Sequence, residues 1–218
     1  HTEENGLLTE VGKSIGKAKS SVLFSLAFLG QMTKGPIGPA LGKQIKSKKV
    51  FTLGIADANV KAGNLGVTVI TPDNKRRVVR SSALTGGAPA PFANEPSGLA
   101  GEKGNERGTR MHHKFVVIDF DTPDARVYFG SYNFSEPADL ENGENLVFVK
   151  DRTITTSYMI EAIRLYDHYR FRTVQEDSKG KGLKVLTLSL PPSKPSAKPW
   201  WQKYWDDPIR KQDRLLFA

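Results

Sequence analysis

Short apolar runs of strand length recur along this chain and alternate with stretches that have helical periodicity. This pattern predicts strands at 20–29, 50–57, 66–71, 112–119, 126–131 and 145–151, and it predicts that those at 20–29 and 145–151 are buried. It predicts helices at 7–18, 37–47 and 154–172, the first with Leu7, Leu8, Val11 and Ile15 near one face. A helix followed by strands with helical connections constrains the chain to an α/β layered domain.

The composition is that of an ordinary globular protein. Of the 218 residues, 38% are hydrophobic and 9% aromatic, and a chain of this length can bury a sizeable core. The longest apolar stretch, 22–29, is interrupted by Ser25 and is too short to cross a bilayer. The opening residues, HTEENGLL, lack the basic start and apolar core of a signal peptide. We therefore expect no transmembrane segment.

The chain contains no cysteine. This excludes disulfides, thiolate zinc sites and a cysteine nucleophile, but it leaves the cellular compartment undetermined. No cluster of residues has the spacing of metal ligands, so neither a metal site nor a cofactor is predicted.

Positive charge is in surplus, with 32 Lys and Arg against 23 Asp and Glu, a formal net charge of +9. Such a surface favours polyanions such as nucleic acid or acidic lipid. Local basic runs occur at 43–49 and 75–80. The simpler alternative is a solvated basic surface that serves solubility.

Composition also suggests where the domain ends. Residues 1–174 are predicted to form one domain, and residues 175–218 a polar linker followed by a basic, aromatic tail. The tail's aromatic residues are expected to pack back on the domain or on a partner. Residues 82–109, rich in Gly, Ala, Pro and Asn, are either a rim of the active site or an insertion without a role.

His112, Lys114 and Asp119 lie within the predicted strand HHKFVVID. Because side chains alternate along a strand, His112 and Lys114 are expected on one side and Asp119 on the other. Histidine can attack phosphorus or donate a proton near neutral pH, and lysine neutralises oxygens that gain charge. The pair therefore suits a phosphate centre, whereas Asp119 is predicted to be structural.

Two further polar clusters lie at the boundaries of predicted strands. Gly130, Ser131 and Asn133 lie at and just after the end of the strand RVYFGS. Hydroxyl and amide groups there can donate to phosphate oxygens, and glycine allows close approach. Asn142 and Glu144 precede the next strand. A carboxylate near the histidine would hold the ring tautomer and stabilise the imidazolium.

Taken singly, HxK is more often a surface pair and GSxN a turn. Taken in order, the clusters resemble the signature of the phospholipase D superfamily: HxK, four residues, Asp, then GSxN, eight residues, NxE. Every position is filled, by His112, Lys114, Asp119, Gly130, Ser131, Asn133, Asn142 and Glu144.

The resemblance implies a mixed β-sheet flanked by helices and an active site shared by two HxK motifs. One histidine forms a phosphohistidine intermediate, and the other protonates the leaving alkoxide and then activates water or an alcohol. Lys114, Ser131 and Asn133 would hold the phosphoryl oxygens, and Glu144 would support the histidine. This chemistry needs no metal ion.

The chain departs from the two-motif pattern because it has one HxK. His113 alternates away from the site, and His168 falls in a predicted helix as HxR. The second half therefore comes either from a second copy, as in small bacterial endonucleases of the family, or from an upstream half, as in larger bacterial members with an aromatic, basic tail. The absence of an initiator Met favours the upstream half.

Three functions remain open at this point. The first is a phosphodiesterase acting on nucleic acid, to which the positive charge points. The second is a phospholipase D acting on lipid headgroups, since a basic surface also suits acidic membranes. The third is a half that binds phosphate without catalysis, against which the intact motif residues argue.

Overall fold

The computed structural model describes residues 6–27, 29, 32, 35–47, 49–56, 78–80, 112–180, 190–194 and 197–218. Their helices and strands are, in chain order, α1 Leu7–Gly16, β1 Ser21–Leu26, α2 Ile37–Lys46, β2 Phe51–Ala56, β3 Val78–Arg80, β4 Lys114–Ile118, β5 Arg126–Gly130, α3 Glu136–Leu140, β6 Leu146–Val149, α4 Arg152–Gly180, α5 Gln202–Asp206 and α6 Pro208–Leu216.

The strands form one mixed six-stranded sheet in the order β3-β2-β1-β4-β5-β6. The pairs β1–β2 and β2–β3 are parallel. The pairs β1–β4, β4–β5 and β5–β6 are antiparallel. The predicted α/β class with a mixed central sheet is therefore confirmed.

Helices cover both faces of this sheet, because the central strands β1 and β4 carry apolar residues on both faces and are buried throughout. On one face, Phe24 and Val116 pack with Ile15 of α1 and Leu41 of α2. On the other face, the intervening strand residues pack against α4, as Val117 does with a cluster that includes Met159 and Tyr166. Burial of each large apolar side chain contributes about 1.5–3 kcal/mol relative to exposure.

The predicted strands and helices are confirmed wherever they fall on described residues. The strand predicted at 66–71 and the segment 82–109 lie outside them. Strand β3 was not predicted; it lies within the basic run at 75–80. Helix α4 continues to Gly180, past the start of the predicted linker at 175. The helix ends at the first glycine of the sequence GKG, and glycine is a frequent helix terminator.

Strand β6 was predicted to be buried, and this prediction is wrong. Val147 is 41% exposed and Phe148 is 53% exposed. The strand is the last in the sheet order and has one neighbour, β5. An edge strand is covered less completely than a central one, so its apolar residues alone did not establish its burial.

The C-terminal residues form the short helices α5 and α6, and Phe217 after α6 packs against the domain. Asp207 caps α6, accepting hydrogen bonds from the backbone N–H groups of Ile209 and Arg210. The Phe217 ring lies 5.2 Å from that of Phe51 and 5.6 Å from that of Phe120, measured between centroids. No helix within the described residues has both the length and the apolar character to span a bilayer. The division into domains at 174 stays a prediction.

Candidate active site

The antiparallel half of the sheet brings the three sequence clusters together at one end of its strands. Lys114 is the first residue of β4, and Gly130 is the last residue of β5. Because Phe115 pairs with Phe129, these two strand ends lie side by side. Glu144 lies two residues before Leu146, which pairs with Gly130. The order of motifs in the sequence thus becomes a compact group in space.

Lys114 is a buried cation at these strand ends, with 7% of its surface exposed. Its Nζ donates a hydrogen bond to the backbone carbonyl of His112 at 2.9 Å. Desolvation by burial lowers the pKa of the Lys114 ammonium, and the nearby carboxylate of Glu144 opposes that shift. Glu144 therefore favours the charged form of the lysine, against the effect of burial. His112 itself is exposed.

Glu144 also fixes the loop that carries Asn133. Its carboxylate accepts the backbone N–H of Asn133 at 2.8 Å and the side-chain Nδ2 of the same residue at 2.8 Å. The Asn133 Oδ1 is buried and accepts no hydrogen bond within the described part of the chain. The backbone N–H of Glu144 donates to the carbonyl of Asn142, whose side chain is exposed. A contact of Glu144 with the His112 ring stays a prediction.

Ser131 is held by Asn145, a residue that the sequence analysis missed. The Ser131 N–H donates to Asn145 Oδ1 at 3.0 Å, and the Asn145 N–H donates to Ser131 Oγ at 2.9 Å. Gly130 has a φ of +148°, and a Cβ there would clash with the backbone carbonyl and side-chain oxygen of Asn145. Glycine is thus required for close approach between the two chain segments. Only the position of Asn145 directly after NxE hinted at this role.

Asp119 lies at the opposite end of β4 from Lys114 and is not part of this group. It is 1% exposed and adopts a φ of 53°, which ends the strand. Its Oδ1 accepts the backbone N–H groups of Lys19 at 2.8 Å and Ser20 at 2.9 Å. Its Oδ2 lies 3.3 Å from Arg126, a partner that the sequence analysis also missed. These contacts join the chain before β1 to the turn after β4.

These strand ends therefore carry four polar groups: the exposed imidazole of His112, the buried ammonium of Lys114, the hydroxyl of Ser131 and the amide of Asn133. Each of the last three can donate to the oxygens of an anion. Among the described residues, no group of three His, Cys, Asp or Glu side chains is placed to hold a metal ion. The arrangement has features expected of a phosphate site, namely one cation and several neutral donors at the same strand ends. A catalytic role for the His112 ring stays a prediction.

Comparison with protein families identifies the fold that carries this site. The family model described as "Cardiolipin synthase, PLD-like domain" matches residues 13–165. The chain belongs to the phospholipase D superfamily. The matched range contains every motif residue from His112 to Glu144. Membership in this phosphodiesterase superfamily is therefore established independently of the motif spacing, whereas the roles of individual residues stay predictions.

Solved structures of similar fold include NucT from Helicobacter pylori, with 20% identity, 74% of this chain and 87% of that chain covered, and a TM-score of 0.49. Nuc of Salmonella typhimurium, a phospholipase D family member, has 17% identity, coverages of 76% and 86%, and a TM-score of 0.40. The archaeal chromatin protein TrmBL2 has 12% identity, coverages of 72% and 47%, and a TM-score of 0.41. No curated protein matches this sequence.

Proposed function

We propose that this chain hydrolyses phosphodiester bonds in nucleic acid and supplies one half of a two-half active site. The observation that carries the proposal is the link from Lys114 through Glu144 to Asn133. One carboxylate sustains the charge of the lysine and orients the amide of the asparagine. This link has a clear use at a phosphate, where a cation and an oriented donor act on the same group of oxygens.

The proposed reaction has two steps, and His112 takes one of two complementary roles in them. First, a ring nitrogen of one histidine bonds to phosphorus as the bond to the leaving oxygen breaks, and the histidine of the other half gives that oxygen a proton. Then the second histidine takes a proton from water, whose oxygen bonds to phosphorus as the P–N bond breaks. General acid catalysis of this kind contributes about 10² to 10⁴ in rate.

Lys114, Ser131 and Asn133 are proposed to stabilise the phosphoryl oxygens during both steps. Ser131 Oγ accepts a hydrogen bond from Asn145, which leaves its own hydrogen to donate. An amide NH₂ has two hydrogens, and Glu144 takes one of those of Asn133. The second hydrogen is assigned to phosphate. Glu144 is then a positioning residue that also supports the imidazole.

The second half is proposed to come from a second copy of the chain or from an upstream half with its own HxK. The orphaned Oδ1 of Asn133 supports an incomplete site, because a buried acceptor without a donor costs about 1–3 kcal/mol. A donor brought by the second half, or by the substrate, would recover this energy.

Side-by-side hydrolysis assays test the substrate class. We expect the assembled protein to cleave single-stranded DNA and to leave phosphatidylcholine vesicles unchanged, because a net charge of +9 attracts a polyanion more strongly than a zwitterionic headgroup. Both assays are run with EDTA, since side chains supply the nucleophile and the cation in the proposed reaction. Release of headgroup without DNA cleavage would make the chain a phospholipase. Activity that disappears in EDTA and returns with a divalent ion would refute the mechanism.

A further inference from the structure

A cleft of about 420 Å³ lies between α1 and strands β5 and β6, and Asp119 is the one motif residue that lines it. The cleft exists because the helices on this face pack over the central strands, leaving Phe148 of β6 53% exposed. The same incomplete cover accounts for the exposure of the edge strand. The cleft is open to solvent along the two outer antiparallel strands.

Both walls of the cleft carry positive charge. Lys13 and Lys17, four residues apart, line it from α1, and Lys19 follows them. Arg126 at the start of β5 and Lys150 after β6 line it from the sheet. Positive side chains on two opposing walls create a stronger positive potential, and therefore attract a polyanion more effectively, than the same charges on a flat surface.

Three carboxylates, Glu10, Asp119 and Asp124, also line the cleft and offset part of this charge. Asp119 pairs with Arg126, whose side chain is 14% exposed, so the charge available to a ligand is that of the lysines. Lys13 Nζ lies 3.1 Å from Glu10, and Asp124 lies 3.6 Å from Lys19 and 3.2 Å from Lys150. The side chains of Lys150 and Asp124 are 57% and 52% exposed. Exposed ion pairs of this kind are weak, so the lysines can exchange these carboxylates for phosphates at little cost.

The floor of the cleft is aromatic. Tyr128 and Phe148 are paired across β5 and β6, with ring centroids 4.9 Å apart and planes inclined at 35°. The Phe148 ring is the exposed member of the pair. A large apolar ring exposed between lysines suits a ligand that has both flat rings and negative charge. Stacking of a nucleic-acid base on such a ring contributes about 1–3 kcal/mol.

The cleft lies on the same face of the sheet as Lys114. Phe148 pairs with Tyr128, and Tyr128 pairs with Val116, so these side chains share a face of the sheet. Lys114 lies two residues before Val116 and falls on that face by alternation. From Arg126 to Gly130, β5 spans four residue steps, or about 14 Å at ~3.4 Å per residue.

We propose that this cleft is a binding site for single-stranded nucleic acid, which it holds on the face of the sheet that carries Lys114. The lysines of both walls contact phosphates, and a base that is not paired stacks on Phe148. The proposal rests on the proposed function and specifies its substrate class, since the bases of a duplex are stacked on one another and closed to Phe148.

Oligonucleotide binding tests the cleft directly. A fluorescein-labelled oligothymidylate is titrated by anisotropy into full-length His112→Ala protein, which does not cleave it, at several salt concentrations. Phe148→Ala is expected to weaken binding about 5- to 150-fold, and Phe148→Trp to retain it. The double variant Lys17→Ala/Lys150→Ala is expected to reduce the steepness of the plot of log K against log salt by about 1.4, because each of the two lost phosphate contacts contributes about 0.7. Lys198→Ala/Lys211→Ala, outside the cleft, is the charge-matched control.

Turnover of bis(p-nitrophenyl) phosphate separates this proposal from the proposed function. The small diester reaches the motif residues without filling the cleft, so Phe148→Ala in otherwise unchanged, assembled protein is expected to keep its turnover. Unchanged oligonucleotide affinity in the cleft variants, or equal losses in the control, would overturn the cleft while leaving the proposed function intact. If the cleft variants lost binding to phosphatidylglycerol vesicles but kept their affinity for the oligonucleotide, the cleft would be a lipid site and the proposal of a nucleic-acid site would be overturned. Absence of all diester turnover in the assembled parent protein would refute the proposed hydrolase function, while the oligonucleotide titration would still decide on the cleft.

Discussion

The His112→Ala variant is expected to fold normally and to show no measurable phosphodiester hydrolysis. His112 is exposed, so its truncation removes little packing. In the proposed reaction every turnover requires a ring at this position, either as the group that bonds to phosphorus or as the acid that protonates the leaving oxygen. Loss of the acid alone would cost about 10² to 10⁴ in rate, and loss of the nucleophile removes the covalent route. Turnover of a chromogenic diester and circular dichroism measure the two expectations.

The adjacent histidine provides a matched control. His113 is also exposed, and its ring lies 6.4 Å from that of Phe115, centroid to centroid. Phe115 belongs to the core on the α4 face, opposite the face to which we assign Lys114. The His113→Ala variant is therefore expected to keep its turnover. Equal activity of the two alanine variants would remove His112 from the mechanism.

The Asp119→Ala variant is expected to lose about 3–5 kcal/mol of stability. The carboxylate is 1% exposed and accepts hydrogen bonds from the backbone of Lys19 and Ser20, and it forms an ion pair with Arg126. Without the carboxylate, the backbone N–H groups of Lys19 and Ser20 lose their acceptor. The Arg126 guanidinium, whose side chain is 14% exposed, loses its counter-ion. Urea denaturation with a fixed m-value measures the loss.

Two companion variants show whether the effect belongs to the buried carboxylate. Asp119→Asn keeps an acceptor for the backbone donors but loses its charge, so a smaller loss of about 1–3 kcal/mol is expected. Asp124→Ala removes an exposed carboxylate beside Lys150 and should change stability little. A stability of Asp119→Ala equal to that of the parent would contradict the structural role proposed for this residue.

Local patterns predicted most of the fold, because they directly report which residues are buried. Alternation along β4 identified the faces of a central strand, and the spacing of the motifs placed them at strand ends. The exposure of Phe148 was not predictable in this way, because it depends on β6 being the last strand of the sheet. Strand order is set by pairing between distant segments, which an apolar run does not encode.

The candidate site shows the same limit. Its motif residues were found from type and spacing, but their partners Asn145 and Arg126 were not. Asn145 matters because Gly130 allows it to approach Ser131, a relation across the β5–β6 ladder. Asp119 was assigned to the opposite side of the strand by alternation, whereas it lies beyond the strand's far end with a φ of 53°. A left-handed residue of this kind interrupts the alternation on which the prediction depended.

Activity measured against molar mass in solution tests the two-half site most directly. Size-exclusion fractions with on-line light scattering are assayed for diester turnover, alone and after addition of an upstream half that carries its own HxK. The account predicts no turnover from a monomer of 24.1 kDa. It predicts turnover that rises only with a dimer joining two His112 side chains or with the added half. Full turnover from a strictly monomeric chain would contradict it.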